Sequence, residues 1–541
     1  MRKTLLFLSA LLLLSSMAYA AAEGEQATAD GPVTLSIFGV SSVGRPVECY
    51  DSPCNEMTAM IEERFNIKIE WEIFVEAERA GRRDKQQLLL ASGDYPAVFL
   101  SADFNNADQM RYGGEGILIA LNPLIDDPEK SPNIQAGFEQ KPYIRPAITT
   151  PDGNIYSLPD FSECYHCSVA QKAWINTEWL DALGLDMPGT TAELETVLEA
   201  FKTGDPNGNG KQDEIPWTGI GTPWWHGYIY DFLMGAFIYN DGERFLTMDH
   251  GKVGFAADKP EWREGLRYMA RLFQKGLLDP QGFTQNPDSG AALANQEPRI
   301  LGAFVAGHNR MFNHGDDNWQ QYRAIPPLQG PKGVQFAAHY PSGVRTGRFA
   351  ITDKATPAQI DKAWELADWS YSVEGTMTQL WGLQKNKDGD EYWRWAEPGE
   401  LGLNGEQAVY LAFPRLWQNE VRKNDWGNMW YPFWPKELFN SWAADQDITT
   451  LAGYERYLVV ESDKYIPYVP AETVPSRLYF SDDDAQRVAQ YQTEIEGYVR
   501  QNTAAFITGQ KDIESDWDAY VDGLKGLGLA DYVALTQQAV D

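Results

Sequence analysis

The sequence predicts an α/β fold with a largely parallel sheet. Three observations carry this: strand and helix patterns alternate from the first ordered segment, long amphipathic helices follow, and the aromatic content can fill a large core. VTLSIFGVSS (33–42) reads as an apolar strand running into a polar loop. Residues 55–65 then have helical spacing, with Met57, Met60, Ile61 and Phe65 on one face. IKIEWEIF (67–74) alternates as a half-buried strand does, and AERAGRRDKQQLLLASGD (77–94) is a helix stopped by Gly93. PAVFLS (96–101) completes the rhythm as a short buried strand. Strands separated by helices require parallel crossovers.

The pattern continues downstream. TTAELETVLEAFKTG (190–204) has a threonine N-cap and an acidic first turn, which suit the positive end of a helix. IPWTGI (215–220) follows as a strand. Residues 259–278 and 356–375 are long amphipathic helices, and 484–509 with 513–528 form a last helical pair. The Trp- and Pro-rich stretch 412–442 reads as ordered loop. There is no internal repeat.

The chain opens with an export signal. Arg2 and Lys3 precede an apolar run over 5–14, and Ala18-Tyr19-Ala20 fits the small-x-small cleavage rule. The run is well short of the ~20 residues that span a bilayer. No cysteine near the cleavage point could take a lipid. The expected location is therefore the periplasm, unanchored, with 21–32 (AAEGEQATADGP) as a disordered acidic leader.

A formal charge of −32 excludes nucleic acid and anionic membranes as partners. The 19 Trp among 541 residues leave no doubt that a core can be built, in two or three domains or two larger lobes. The four cysteines come as Cys49/Cys54 and Cys164/Cys167. In an exported chain they predict two disulfides, with the near pairs favoured because such short loops close readily. A metal site using both pairs, or Cys164, His166 and Cys167 together, is the competing reading.

DPNGNGKQDEIP (205–216) resembles a calcium loop in its spacing. Side-chain oxygens fall on Asp205, Asn207, Asn209 and Asp213, at positions 1, 3, 5 and 9, with Gly210 at the sharp turn. Lys211 would supply its carbonyl at position 7. Calcium takes roughly six to eight oxygens, which this spacing can offer. Pro216 stands where an EF-hand has its bidentate glutamate, and Glu214, two residues earlier, can take over that role. With no helix after it, the loop is half an EF-hand and reads as a structural staple. An Asx-rich turn without metal is the alternative.

Several phrases together carry a resemblance: LLLASGDYPAVF (88–99), YGGEGILIALNPLID (112–126), DGNIYSLP (152–159), WINTEWLDALGL (174–185) and TTAELETVLEAFKTGDPNGNGKQDEIP (190–216). PPLQGPKG (326–333), SYSVEGTMTQLWG (370–382), FITG (506–509) and SDWDAYV (515–521) follow in order. The chain resembles the extracellular solute-binding proteins of ABC sugar importers, particularly the alginate-oligosaccharide-binding and lipoprotein branch. It departs from the pattern at Ala97, where the family usually has Asp, and in lacking a lipid-anchor cysteine. The resemblance implies a periplasmic-binding-protein type II fold, two α/β lobes closing on a cleft like a hinge. By that analogy one lobe takes 31–165 plus 341–412, and the other 166–340 plus 413–541 with the calcium loop 205–214. It implies a monomer that captures oligosaccharide and hands it to ABC transporter permease subunits, and it implies the same Glu214 ligation of a structural Ca2+.

Three clusters are candidates for the sugar. GIGTPWWHGYIYDF (219–232) places Trp224, Trp225 and Tyr228 just after a strand, where α/β lobes line a crevice. GHNRMFNHGDDNW (307–319) offers His308, Asn309, Arg310 and Asn313 for hydroxyls. NDWGNMWYPFW (424–434) adds Trp426 and Trp430. Arg310, Arg345 and Arg348 could meet a uronate carboxylate, although each also suits an ordinary ion pair. A secreted glycoside hydrolase is the rival reading. It needs two carboxylates across a sugar, and no nucleophile elbow, zinc-binding His pair or phosphate loop accompanies the acids. The reading is therefore a binding protein without catalytic residues.

Overall fold

The computed structural model describes residues 31–41, 46–75, 79–219, 227–311, 317–340, 343–413, 423–427, 429, 431–475 and 478–541. The export signal, the leader up to 30, and the candidates Trp224, Trp225, Asn313 and Trp430 lie outside these residues. No helix among the described residues is long and apolar enough to cross a membrane.

Two sheets organise the chain. The first has six strands, in the order Phe433–Trp434, Leu158–Ser162, Val344–Ile351, Val98–Leu100, Val33–Ser41 and Ile67–Val75. Val33–Ser41 runs parallel to both neighbours, with Ile37 opposite Trp71 on one side and Val98 on the other. Its last five residues are buried, as a strand covered on both faces requires. Ile67–Val75 lies at the edge, and its first half alternates buried and exposed residues. The helix Glu56–Phe65 begins where Asn55 accepts a hydrogen bond from the Thr58 N–H, and buries Met57, Ile61 and Phe65 against the sheet. Helix Pro357–Ser370, closed by a Thr356/Gln359 capping box, covers the same core.

The second sheet has four strands, in the order Tyr322–Ala324, Ala173–Asn176, Leu301–Val305 and Ile215–Thr218. Its core holds the fully buried indoles of Trp174, Trp217, Trp262 and Trp319. Around it pack Thr191–Thr203, Pro260–Gln274 and the C-terminal helices Asp482–Ile507, Trp517–Gly526 and Leu529–Val540. The last of these was not anticipated. The helix expected over 356–375 is in fact two, because Ser372 caps a new one, Val373–Trp381, by accepting from the Gly375 N–H.

The chain passes between the sheets three times. Leu158–Ser162 leads through 163–172 into Ala173–Asn176, and 325–343 returns to Val344–Ile351. These two passages are tied, since the Tyr340 N–H donates to the Ser168 carbonyl at 2.8 Å. The third passage precedes Tyr454–Asp463, a helix whose Tyr454, Tyr457 and Leu458 belong to the second core. Here the expected boundary at 413 needs correction. Trp426, Met429, Tyr431 and Phe433 fill the first core, and Phe433–Trp434 pairs in parallel with Leu158–Ser162. Apolar side chains in this stretch outweigh its loop-like glycines and prolines.

The disulfides are Cys49–Cys54 and Cys164–Cys167, the near pairing expected, and no cysteine is free. The ligand atoms of Cys164, His166 and Cys167 do lie within 4.8 Å of one another, but the two sulfurs are bonded together. The second disulfide sits in the first passage between the lobes.

Candidate ligand cleft and calcium loop

At the passages, the second lobe gathers polar groups that the sequence reading missed. Gln171 belongs to the first passage, Tyr340 to the second, and Asp231 opens the short helix Asp231–Met234. They converge on Gly242, which has φ +72°. A methyl group there would meet Gln171 Nε2 at 2.8 Å, Tyr340 Oη at 2.9 Å and Asp231 Oδ2 at 3.2 Å. Only glycine fits such a place. Asp231 is 1% exposed and Gln171 5%. Neither Asp231 Oδ2 nor Gln171 Nε2 has a hydrogen-bond partner among the described residues. The Asn240 amide donates to Asp231 Oδ1 at 3.4 Å. Burial pushes the Asp231 carboxyl up to about 7, while Arg500 and Asn240 pull it back. The one signal in the sequence was an acid inside the apolar run YIYDFLMGAF (228–237).

Arg500 is spoken for. It donates to the Gly242 carbonyl and to Glu496 Oε1 at 2.9 Å, and its guanidinium lies 3.9 Å from the centroid of the Tyr228 ring. Tyr228 also stacks on Tyr230, with centroids 5.5 Å apart. The protein itself therefore engages the Tyr228 ring.

On the first-lobe side, Asp160 is wholly buried beside Arg345, with Arg345 Nη2 2.5 Å from Asp160 Oδ2. Arg348 donates to the Ala102 carbonyl at 3.0 Å and to Ser101 Oγ at 2.6 Å. Two of the three arginines considered for a uronate, Arg345 and Arg348, thus have protein partners.

The remaining candidates are placed as follows. Leu301–Val305 ends beside the first passage, where the Ala306 N–H donates to the Lys172 carbonyl at 3.0 Å. Just beyond, Asn309 is buried. It donates to the Trp319 carbonyl at 2.8 Å and to Tyr457 Oη at 3.0 Å, and accepts from Tyr454 Oη at 2.8 Å. Its amide is used up in holding the loop. His308 Nδ1 lies 3.4 Å from the same Tyr454 hydroxyl, and the Arg310 guanidinium sits over the Tyr454 ring at 5.2 Å. Trp426 is a correction: it is 4% exposed, packs edge-on to Trp71 at 5.0 Å and donates to Thr58 Oγ1 at 2.8 Å. Its ring lies in the first core, with no face left for a sugar.

The 205–214 loop is closed by its own side chains. Asp205 takes a positive φ of 46° and accepts from the Asn209 and Gly210 N–H groups, each at 3.0 Å. Asn209 accepts from the Lys211 N–H at 2.7 Å and donates to Asp213 Oδ1 at 3.0 Å. Asn207 ties the loop to the Arg299 carbonyl at 2.9 Å. Both Glu214 carboxylate oxygens are buried without a hydrogen-bond partner among the described residues. Burial first, then Asp213 and Asp205, raise the Glu214 carboxyl above its ordinary range. Three acids drawn together, with the Glu214 oxygens unmet, are a donor set that a hard cation would complete.

No family model matches the chain. FusA, a fructooligosaccharide ABC transporter substrate-binding protein of Streptococcus pneumoniae, is 29% identical over 560 aligned positions, covering 98% of this chain and 97% of that protein. The chain is similar along its whole length to solute-binding proteins of ABC sugar importers. The polygalacturonan/rhamnogalacturonan-binding protein YtcQ of Bacillus subtilis is 25% identical over 52% of this chain and 54% of its own. Among solved structures, FusA in complex with kestose superposes with a TM-score of 0.70 at 26% identity, covering 94% of this chain and 99% of that one. An EF-hand mutant of FusA with fructo-nystose gives 0.70 at 25% identity over the same shares. A Bifidobacterium longum solute-binding protein gives 0.77 at 22% identity, over 95% and 99%. The periplasmic-binding fold is thus shared throughout.

Proposed function

We propose that this protein is the oligosaccharide-capturing component of an ABC importer. It holds the sugar between its lobes and releases it, uncleaved, to membrane permease subunits. The observation that carries this is the set of buried, unpartnered hydrogen-bonding groups at the passages, on Asp231 and Gln171. Hydroxyl-rich ligands complete such groups, and leaving them unmet costs about 1–3 kcal/mol each. The full-length similarity to FusA makes kestose the first sugar to test. The protein works as an exported, unanchored monomer in the periplasm, and its charge of −32 keeps it from nucleic acid. Trp224, Trp225 and Trp430 supply stacking faces for sugar rings.

Calcium is the second part of the reading. Asp205, Asn207, Asn209, Asp213, Glu214 and the Lys211 carbonyl hold one Ca2+ that staples helix Thr191–Thr203 to strand Ile215–Thr218. The EF-hand of the FusA structure supports this. Calorimetry with kestose and other neutral oligosaccharides, followed by chromatography of the recovered sugar, tests the function. Intact sugar is expected; shortened sugar would make the protein a glycoside hydrolase.

A further inference from the structure

We infer that Asp231 and Gln171, with the bare backbone of Gly242, form the subsite that reads neighbouring hydroxyls of a neutral sugar ring and turns uronic acids away. This rests on the proposed function and assigns the residues that set its charge preference.

The two side chains are complementary to a hydroxyl pair. A carboxylate accepts, a carboxamide nitrogen donates, and a sugar hydroxyl does both at once. Among the described residues Asp231 Oδ2 and Gln171 Nε2 have no hydrogen-bond partner, and they lie 3.2 and 2.8 Å from where a Cβ of Gly242 would stand. The backbone is fixed there: the Gly242 carbonyl accepts from Arg500 and its N–H donates to Asn240 Oδ1 at 2.9 Å.

Charge decides the class of sugar. A uronate at this point would face Asp231, with Asp241 and Glu496 also acting on the same carboxyl. The cation acting on it, Arg500, is shared: its Nε and Nη2 meet Glu496 and the Gly242 carbonyl, its guanidinium lies against the Tyr228 ring, and its charge already offsets Asp231. Across the passages, Arg345 is matched by Asp160 and Arg348 by Ser101 and Ala102, while Arg310 lies over the Tyr454 ring and acts on the buried Glu455. A uronate would therefore add a further carboxylate beside Asp231 and Glu496, which already share the single charge of Arg500, and that is disfavoured. A neutral ring pays no such penalty.

The test is calorimetry on the whole protein with kestose, a panel of other neutral trisaccharides, and trigalacturonate. Wild-type protein should bind at least one neutral sugar, and trigalacturonate at least 100-fold more weakly. Asp231→Ala should weaken the neutral sugar at least 30-fold, and Asp231→Asn should narrow the gap between neutral and acidic sugars. Gln171→Leu, which leaves the carboxylate in place, should weaken the neutral sugar at least tenfold. Circular dichroism and melting temperature establish that each variant is folded. Should Asp231→Ala not fold, Gln171→Leu decides. Trigalacturonate binding as tightly as the neutral sugar, or variants that bind kestose like wild type, overturn the inference and leave the function standing. Failure of wild-type protein to bind any neutral sugar overturns the function, and the inference with it.

Discussion

Asp160 is wholly buried in the strand Leu158–Ser162, and the guanidinium of Arg345, 55% exposed, meets its carboxylate at 2.5 Å. Burial raises the Asp160 carboxyl above its ordinary range, while Arg345 and Arg348 hold it down. Arg345→Ala removes one of those two cations and should destabilise the protein by about 1–3 kcal/mol at pH 7. The sign with pH follows. Where Asp160 is neutral the pair is worth little, so the loss should shrink as pH falls through the raised carboxyl range. Asp160→Asn in the same background should recover most of the loss. Melting curves at pH 4 and 7 check this, and a pH-independent loss would refute it.

Lys172 offers a second pH test. Its ammonium is buried in the first passage and donates to the carbonyls of His166 and Val169 at 2.8 and 2.7 Å. Burial pulls its pKa down to about 7, against the pull of Glu461. Between pH 7 and the ordinary lysine range the unfolded chain binds a proton that the folded protein does not. Stability from this residue therefore rises with pH over that window, on the order of 1 kcal/mol per pH unit. Lys172→Met removes the dependence. The stability of wild type minus the variant should grow from pH 7 to 9, and a flat difference would count against the assignment.

The proposed calcium site at 205–214 predicts a response to chelator. Asp205→Ala or Glu214→Gln should lower the melting temperature in calcium and abolish any further drop on chelation. Free calcium at a hundred times its Kd stabilises a folded site by about 2.7 kcal/mol. Kestose affinity should change little, because the loop lies at the far end of strand Ile215–Thr218 from the passages. Equal melting of wild-type protein with and without chelator would rule the ion out.

Trp426→Ala should separate packing from recognition. The indole fills the first core and bonds to Thr58, so its loss should cost about 3–5 kcal/mol of stability. Sugar affinity of the folded variant should stay within about threefold of wild type. A large loss of affinity with unchanged stability would return this residue to the cleft.

The sequence made the fold legible because period and capping agree. Thr190 with Glu193, Thr356 with Gln359 and Asn55 all cap helices that begin where spacing placed them. The disulfides were legible for a different reason, the shortness of their loops. The stretch over 424–434 was harder. Its many rings look alike in sequence, whether they line a crevice or fill a core, and only the pairing of Phe433–Trp434 with Leu158–Ser162 separates the cases. Asp231, Gln171 and Tyr340 were illegible because they come from three distant segments. No local pattern announces a convergence that the chain passages create.

The strand Phe433–Trp434 also bears on how the protein is made. The six-stranded sheet takes its outermost strand from residues that follow Leu158–Ser162 by some 270 positions, with the whole second sheet between them in sequence. The lobe that begins first is therefore finished late. Until residue 434 has left the ribosome and crossed the membrane, Leu158–Ser162 has an unpaired edge, and Tyr431 and Phe433 are missing from the core. Such an edge is a template for pairing with other chains. The lobes cannot mature one after the other, as domains made in sequence order do. The order in which this lobe can close its sheet therefore departs from the order in which its strands are made.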